Sequence, residues 1–216
     1  MSMSYNNVQK YKGTTTVAAK SKDSIVLATD TRVSMGMFIA HKSGKKILQI
    51  DDHLAVTIAG GVADAQNIVD VMRYYCKMYK LEHKRSIPIH SAARLISNVI
   101  FSHRFYPYMI QLLVCGFDGK GPHTFNVDLF GSLNEEDYFS TGSGSPVAYG
   151  ILESGYNVDM NHSDVISLTA RAIYSAIQRN SGTGDNIDIA YVNKTGYHEL
   201  SKKEKSSLFS TLSVNL

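Results

Sequence analysis

A glycine followed by three threonines, Gly13-Thr14-Thr15-Thr16, opens the first apolar run and constrains the rest of the chain more than any other stretch. Threonine is β-branched and stiff at χ1, so three in a row favour an extended strand on a pleated surface. The same residues admit a chemical reading. A small glycine before a threonine is an accessible junction, and breaking it would leave Thr14 with a free α-amine beside its own hydroxyl. Such an amine titrates near pH ~8, so a useful fraction is a neutral base at physiological pH. Pairing a threonine hydroxyl with the N-terminal amine is one way to activate a weak nucleophile. A strand start and a latent nucleophile are both open at this point.

Composition narrows the class. The chain has 216 residues, 44% apolar and 19% charged, with a formal charge of +3. That suits one domain, or at most two small ones, with a proper core. Lysine clusters at 42–46 and 202–205 are interrupted and lack flanking aromatics. They read as solvated faces, and no nucleic-acid partner is expected. Cys76 and Cys115 lie far apart and form no C-x-x-C. Buried thiols in a reducing compartment are the favoured reading, a disulfide the alternative. The eight histidines show no ligand spacing, so neither a metal nor another cofactor is expected. The leader Met1 to Lys12 lacks the apolar core of a secretory signal, and no run reaches the length of a membrane span. A soluble, cytoplasmic protein with no membrane partner is expected.

Hydrophobic periodicity divides the chain into blocks. Thr14 to Lys20 and Ser24 to Asp30 read as a hairpin, then Phe38 to His41 and Lys46 to Ile50 as strands around a Ser43-Gly44 turn. His53 to Ala59 runs into Gly60-Gly61, so the first quarter reads as a strand meander. Ala65, Ile68, Val69, Met72, Tyr75, Cys76 and Tyr79 then recur at three and four, predicting a helix of about five turns. Pro88 opens a second helix with Ala92, Leu95, Ile96 and Val99 on one face. Met109 to Phe117 is a nearly continuous apolar run, as a strand buried on both faces requires. Alternation at Phe125, Val127 and Leu129, and a strand at Asp137 to Ser140, continue the sheet region. Ser145 is placed as the cap of a helix with Pro146 at its first position, and Asn161 as the cap of a fourth helix. A polar loop from Arg179 to Asp185, a hairpin of Ile187 to Val192 and Tyr197 to Leu200, and a short helix from Lys202 to Leu212 finish the chain. Segregated strand and helix blocks argue α+β in a single domain.

Several residues stand out against this background. On a strand from Lys46 to Ile50, Lys46 shares a face with Leu48 and Ile50. An ammonium there needs a partner, or it shifts its pKa and becomes available for catalysis; the bland alternative is a lysine that snorkels to solvent. Asp30 closes an apolar strand on the face of Val26 and Ala28, and a hairpin would bring it to Lys46. Gly60 ends another apolar strand, where a backbone N–H can serve an oxyanion or the glycine can simply make a turn. Ser143 lies uncrowded between Gly142 and Gly144, but the spacing is not that of a G-x-S-x-G elbow, so a Ser-His-Asp hydrolase fits poorly.

Read together, GTTTV at Gly13, ATDTRVSM from Ala28, HKSGKKILQI from His41, TIAGGVADAQ from Thr57, YPYMIQLLVCGFD from Tyr106 and STGSGSPVAYGILE from Ser140 resemble the β subunits of the proteasome core particle, most closely the archaeal ones. The resemblance runs from Thr14 to about Leu200. It implies an N-terminal nucleophile hydrolase with a four-layer αββα sandwich of two antiparallel sheets between helix layers. It further implies a propeptide of residues 1–13, cut between Gly13 and Thr14, ahead of one catalytic domain of residues 14–216. On this reading Thr14 is the nucleophile of a threonine endopeptidase and its released amine the proton acceptor. Lys46 tunes the hydroxyl, Asp30 holds Lys46, Gly60 supplies the oxyanion N–H, and Ser143 bonds the amine. The resemblance makes Val33, Leu48, Ile58 and Val62 the pocket before the scissile bond, and its apolar lining predicts cleavage after hydrophobic residues. The implied partners are polypeptide substrates, α subunits and other β subunits in stacked heptameric rings, and a regulatory ATPase ring acting through the α ring.

Two positions depart from the family's pattern. Asn180 stands for its Asp, and Thr183 for its Ser. An amide keeps hydrogen bonds but not a negative charge, so the substitution is expected to depress the amine or lysine pKa and weaken self-processing. Asp185 is a candidate to compensate. A structural, unprocessed β subunit is therefore the alternative to an active one, and a stand-alone amidohydrolase a third reading.

Overall fold

The computed structural model describes residues 13–35 and 37–212; the predicted leader Met1 to Lys12 lies outside the described residues. Twelve strands and five helices follow one another among them. One sheet contains β1 (Thr16–Lys20), β2 (Ser24–Asp30), β10 (Tyr138–Thr141), β11 (Ile187–Asn193) and β12 (Gly196–Glu199) in the antiparallel order β10-β1-β2-β11-β12. The other contains β5 (Ile47–Asp51), β6 (Leu54–Gly60), β7 (Ile110–Asp118), β8 (Gly121–Val127) and β9 (Leu133–Glu135) in chain order. A separate ribbon pairs β3 (Val33–Met35) with β4 (Phe38–His41).

The central strands read as continuous apolar runs because both of their faces are covered. In β2, Ile25 and Leu27 face the space between the sheets, whereas Val26 and Ala28 face helices. In β7 the same alternation sends Leu113 and Cys115 between the sheets, and Ile110, Leu112 and Val114 toward the other helix pair. Helices α1 (Val62–His83) and α2 (Ile89–Ser102) cover the β5–β9 sheet through Ile68, Met72, Ala92 and Ile96. Helices α3 (Ser145–Gly155) and α4 (His162–Arg179) cover the other through Ala148, Leu152, Val165 and Ile173. The result is the expected four layers, helix–sheet–sheet–helix. Helix α5 (Lys202–Thr211) packs Leu208 and Phe209 at the edge of the second helix layer.

Several predicted boundaries and pairings differ. The meander expected of the first quarter is split, because β2 already has β1 and β11 on its two edges and leaves none for β5. Phe38–His41 turns back on β3, a strand too short to show alternation, rather than pairing with the 46–50 segment. Helix α1 is 22 residues long, a turn beyond the predicted five, since its polar last turn carries no periodic signal. Pro88 is the N-cap of α2 rather than its first residue, and Gly144, not Ser145, caps α3. Asn161 caps α4 as read, its side chain accepting the Asp164 N–H. β9, another three-residue strand, gave no signal.

Cys76 and Cys115 are free and buried, and burial pushes both thiols up to about 12. At pH 8 that leaves a thiolate fraction of roughly 10⁻⁴. Alkylating reagents should therefore leave both cysteines unmodified in the folded protein and label both in denaturant, which mass spectrometry reads directly. Among the described residues no helix is long and apolar enough to cross a membrane.

Candidate active site

The peptide bond between Gly13 and Thr14 lies at the end of the β10–β1–β2 sheet, just before β1 begins. Thr14 is only 8% exposed. Its hydroxyl donates to the Gly13 carbonyl oxygen at 2.6 Å, so the side chain rests against the carbonyl of its own preceding bond. The Gly13 N–H donates to Ser34 Oγ at 2.8 Å. A Cβ on Gly13 would run into the Gly182 Cα, so two backbones meet here at a distance that only glycines permit. Ser34 lies on β3, the unread strand, and no sequence signal marked it.

Asp30, at the end of β2, is fully buried and accepts four N–H donors. Thr15 N (2.9 Å) and Lys46 Nζ (2.7 Å) bond Oδ1, while Gly184 N (3.0 Å) and Arg32 N (3.2 Å) bond Oδ2. The carboxylate thus ties the residue after Thr14, the lysine and the 180–185 loop to one point. Lys46 stands one residue before β5 begins, so strand alternation does not set its direction. Its ammonium reaches across to the other sheet rather than joining the Leu48–Ile50 face, and the pairing is a contact between sheets, not a hairpin. Burial pushes Lys46 below the usual lysine range, Asp30 opposing the shift. Burial likewise pushes Asp30 above the usual carboxylate range, against Lys46 and the backbone N–H groups. The further charges at Lys46 are Arg32, which lowers its pKa, and Asp185, which raises it.

The loop after α4 closes the site from the other side. Ser143 Oγ lies 3.4 Å from Thr14 N, from which it accepts, and donates to Asn180 Oδ1 at 2.9 Å. Thr183 Oγ1 also meets Asn180 Oδ1 at 2.9 Å and shares a hydrogen with Thr15 Oγ1 at 2.7 Å. Asp185 does not reach this network. It has φ 70 and accepts from Arg32 Nε at 3.0 Å, and Arg32 also donates to Ser181 O. Its service to the site is that of a charge felt by Lys46.

The structure therefore joins Gly13, Thr14, Asp30, Lys46, Ser143, Asn180 and Thr183 in one hydrogen-bonded network. Gly60 lies apart from it at the end of β6, with φ 119, where a side chain would strike the Met109 carbonyl. The strand that carries it is anchored to the site by Ile58 N–H donating to Lys46 O at 3.0 Å. Leu48 and Ile58 share one apolar cluster. Val33 lies on the β3 ribbon, and Val62 is 48% exposed at the first turn of α1.

Two antiparallel five-stranded sheets between helix pairs, with a threonine at the open end of one sheet, define the sandwich of the N-terminal nucleophile hydrolases. The sequence model of the family described as "Proteasome subunit" matches residues 10–192, and the chain belongs to that family. It is similar to "Proteasome subunit beta 2" of Nitrosopumilus maritimus, 48% identical over 205 residues that cover 94% of this chain and 98% of that one. It is 45% identical to "Proteasome subunit beta" of Archaeoglobus profundus, over 94% of each chain. A match to "Proteasome subunit beta" of Methanopyrus kandleri, also at 45%, covers 94% and 98%. These relationships make the chain a β-type subunit of the proteasome core, in a peptidase family whose members assemble with other proteasome subunits.

Proposed function

We propose that this chain is a threonine endopeptidase that removes its own residues 1–13 and then cleaves polypeptides inside the proteasome core. The observation that carries the reading is the Thr14 hydroxyl, packed at 2.6 Å against the Gly13 carbonyl in a network that includes a buried lysine. Thr14 Oγ attacks the Gly13 carbonyl carbon, its proton passes to a base, and the C–N bond gives way to an ester as the base returns that proton to the departing nitrogen. Water then cleaves the ester, releasing residues 1–13 with a new carboxyl terminus and restoring the hydroxyl. During this step Thr14 N is still acylated and donates to Ser143, so it cannot be the base. Lys46, with its lowered pKa, is the group that supports that role. Once freed, the amine accepts the proton in later turnovers.

Gly60 would present its N–H to the oxyanion, and Val33, Leu48, Ile58 and Val62 would receive an apolar side chain before the scissile bond. The working particle is read as stacked heptameric α and β rings fed by a regulatory ATPase in the cytoplasm. Exposed Met35, Phe38, Phe105 and Tyr106 give such an assembly apolar surface to cover.

The deciding experiment is the intact mass of the chain after co-assembly with its α partner, with hydrolysis of peptides ending in hydrophobic, basic or acidic residues. A mass of residues 14–216 and preference for hydrophobic peptides support the proposal. A full-length mass in assembled, inactive rings makes this a structural subunit; best cleavage after charged residues removes the pocket assignment. Gly13→Ala should slow self-cleavage on the order of 100-fold, because its Cβ forces the scissile carbonyl away from Gly182 and from Thr14. A time course of intact mass measures this, and a chain started directly at Thr14 should be unaffected.

A further inference from the structure

The nucleophile and the oxyanion donor are carried by different sheets. Thr14 stands two residues before Thr16, where β1 begins, and Gly60 ends β6 in the facing sheet. Much of the layer between the sheets is apolar, with Ala18, Ile25, Leu27, Ala55 and Leu113 meeting there. Apolar contact is non-directional, so it presses the sheets together without fixing how far one slides over the other. Directional bonds have to set that offset. Near the open end, Lys46 before β5 reaches Asp30 of β2. Thr57 of β6 donates to Thr16 Oγ1 of β1 at 3.0 Å, and Gln111 Oε1 of β7 accepts from the Gly142 N–H after β10 at 3.4 Å. The first bond holds the base of self-cleavage. Thr57 and Gln111 touch no reacting atom.

Their placement is nonetheless tied to the reaction. Thr57, Thr16 and Thr141 are buried, and Thr16 shares a further hydrogen with Thr141 at 2.7 Å. Thr29, beside Thr16 on β2, is buried as deeply, yet its hydroxyl has no partner among the described residues. The crossing bond thus joins the strand of Gly60 to the strand of Thr14. At about 3.3 Å per residue it lies within roughly 10 Å of both along the chain. Gln111 pairs with Ala59, the residue before Gly60. The turn it bonds is pressed against the nucleophile. A Cβ on Gly142, at φ 90, would strike the Thr14 carbonyl oxygen, and Gly144 N–H donates to that oxygen at 3.4 Å.

We propose that Thr57 and Gln111 are positioning residues, which fix the offset of the oxyanion strand against the nucleophile's strand. The proposal rests on Thr14 as the nucleophile and Gly60 as the oxyanion donor. Such a donor acts only at hydrogen-bond distance from the place where the charge develops. A misplacement of about 1 Å costs on the order of 100-fold in rate. A slip between the sheets moves the Gly60 N–H relative to Thr14 Oγ by the full amount of the slip. Leu48 and Ile58 ride on the same sheet as Gly60, so the pocket walls they form move with it and stay intact. The loss therefore falls on kcat rather than on KM.

The test is Thr57→Val and Thr57→Ser in the full chain, co-assembled with its partner subunits. Intact mass follows self-cleavage, and kcat and KM are measured per processed chain. Thr57→Val keeps the shape of the side chain and removes the hydroxyl, while Thr16 keeps its bond to Thr141, so no buried group is stranded. Self-cleavage and kcat should both fall about tenfold with KM unchanged, since both reactions pass through a tetrahedral oxyanion. Thr57→Ser keeps the donor and should recover most of both rates. Packing alone predicts the reverse order, because Thr57→Val fills the site and Thr57→Ser leaves a gap. Rates for Thr57→Val within about twofold of the unaltered chain overturn the proposal. So does a loss confined to KM, or Thr57→Ser slower than Thr57→Val. If Thr57→Val does not assemble, Gln111→Leu at the half-buried contact should give the same fall in kcat with KM unchanged; an unchanged kcat overturns the proposal. A full-length, inactive unaltered particle would instead sink the Thr14 reading, and this proposal with it.

Discussion

Thr14→Ala should leave every β chain in the assembled particle at full length and bring peptide hydrolysis to background, a loss on the order of 10⁶-fold as for other nucleophile deletions. The expectation follows from how the neighbouring hydroxyls are engaged. Thr15 Oγ1 is committed to Thr183, and Thr16 Oγ1 bonds Thr141 at 2.7 Å and Thr57 at 3.0 Å between the sheets. Neither is free to move one residue along and attack. Assembly should be unharmed, because among the described residues the Thr14 hydroxyl bonds only the carbonyl beside it. Thr14→Ser keeps the hydroxyl and should be processed. A shortened Thr14→Ala chain would mean that cleavage comes from elsewhere, and the self-processing step would have to be abandoned. Intact mass and a fluorogenic peptide assay on the same preparation separate these outcomes.

Much of this was legible in the sequence where the cause is local. Alternation placed the doubly buried strands because each has small or branched residues on both faces, and the Asn161 cap was readable because a side chain bonds its own helix start. The pairing of Asp30 with Lys46 was read correctly, but through a hairpin that does not exist. The partition of strands between sheets depends on β11 reaching back to β2, and no local pattern carries that. Ser34 and Gly184 contribute a hydroxyl and a backbone N–H whose roles arise only when distant loops meet. At Asn180 the sequence reading counted the lost charge and could not see the Ser143 carbonyl that the amide bonds.

Lys46 offers the second large effect, and two substitutions divide its structural from its chemical role. Lys46→Met removes the cation from a fully buried carboxylate, which should destabilise the fold by about 3–5 kcal/mol. The three backbone N–H donors to Asp30 remain but carry no full charge. Burial already raises Asp30, and losing Lys46 raises it further. A carboxyl whose folded pKa lies above its unfolded value favours the native state while protonated, so the deficit of Lys46→Met should be small near pH 4 and grow as the pH rises. Lys46→Arg keeps a cation for Asp30 but one that does not release its proton. It should assemble and melt within a few degrees of the unaltered particle, yet cleave itself on the order of 10³-fold more slowly, the scale of a lost general base, and hydrolyse few peptides because little Thr14 amine is released. Prompt self-cleavage and unimpaired hydrolysis by Lys46→Arg would reduce Lys46 to an electrostatic partner of Asp30 and overturn its role as the base of self-cleavage. A full-length Lys46→Arg chain on the gel is the expected result, because the Thr14 amine that serves later turnovers is then not released.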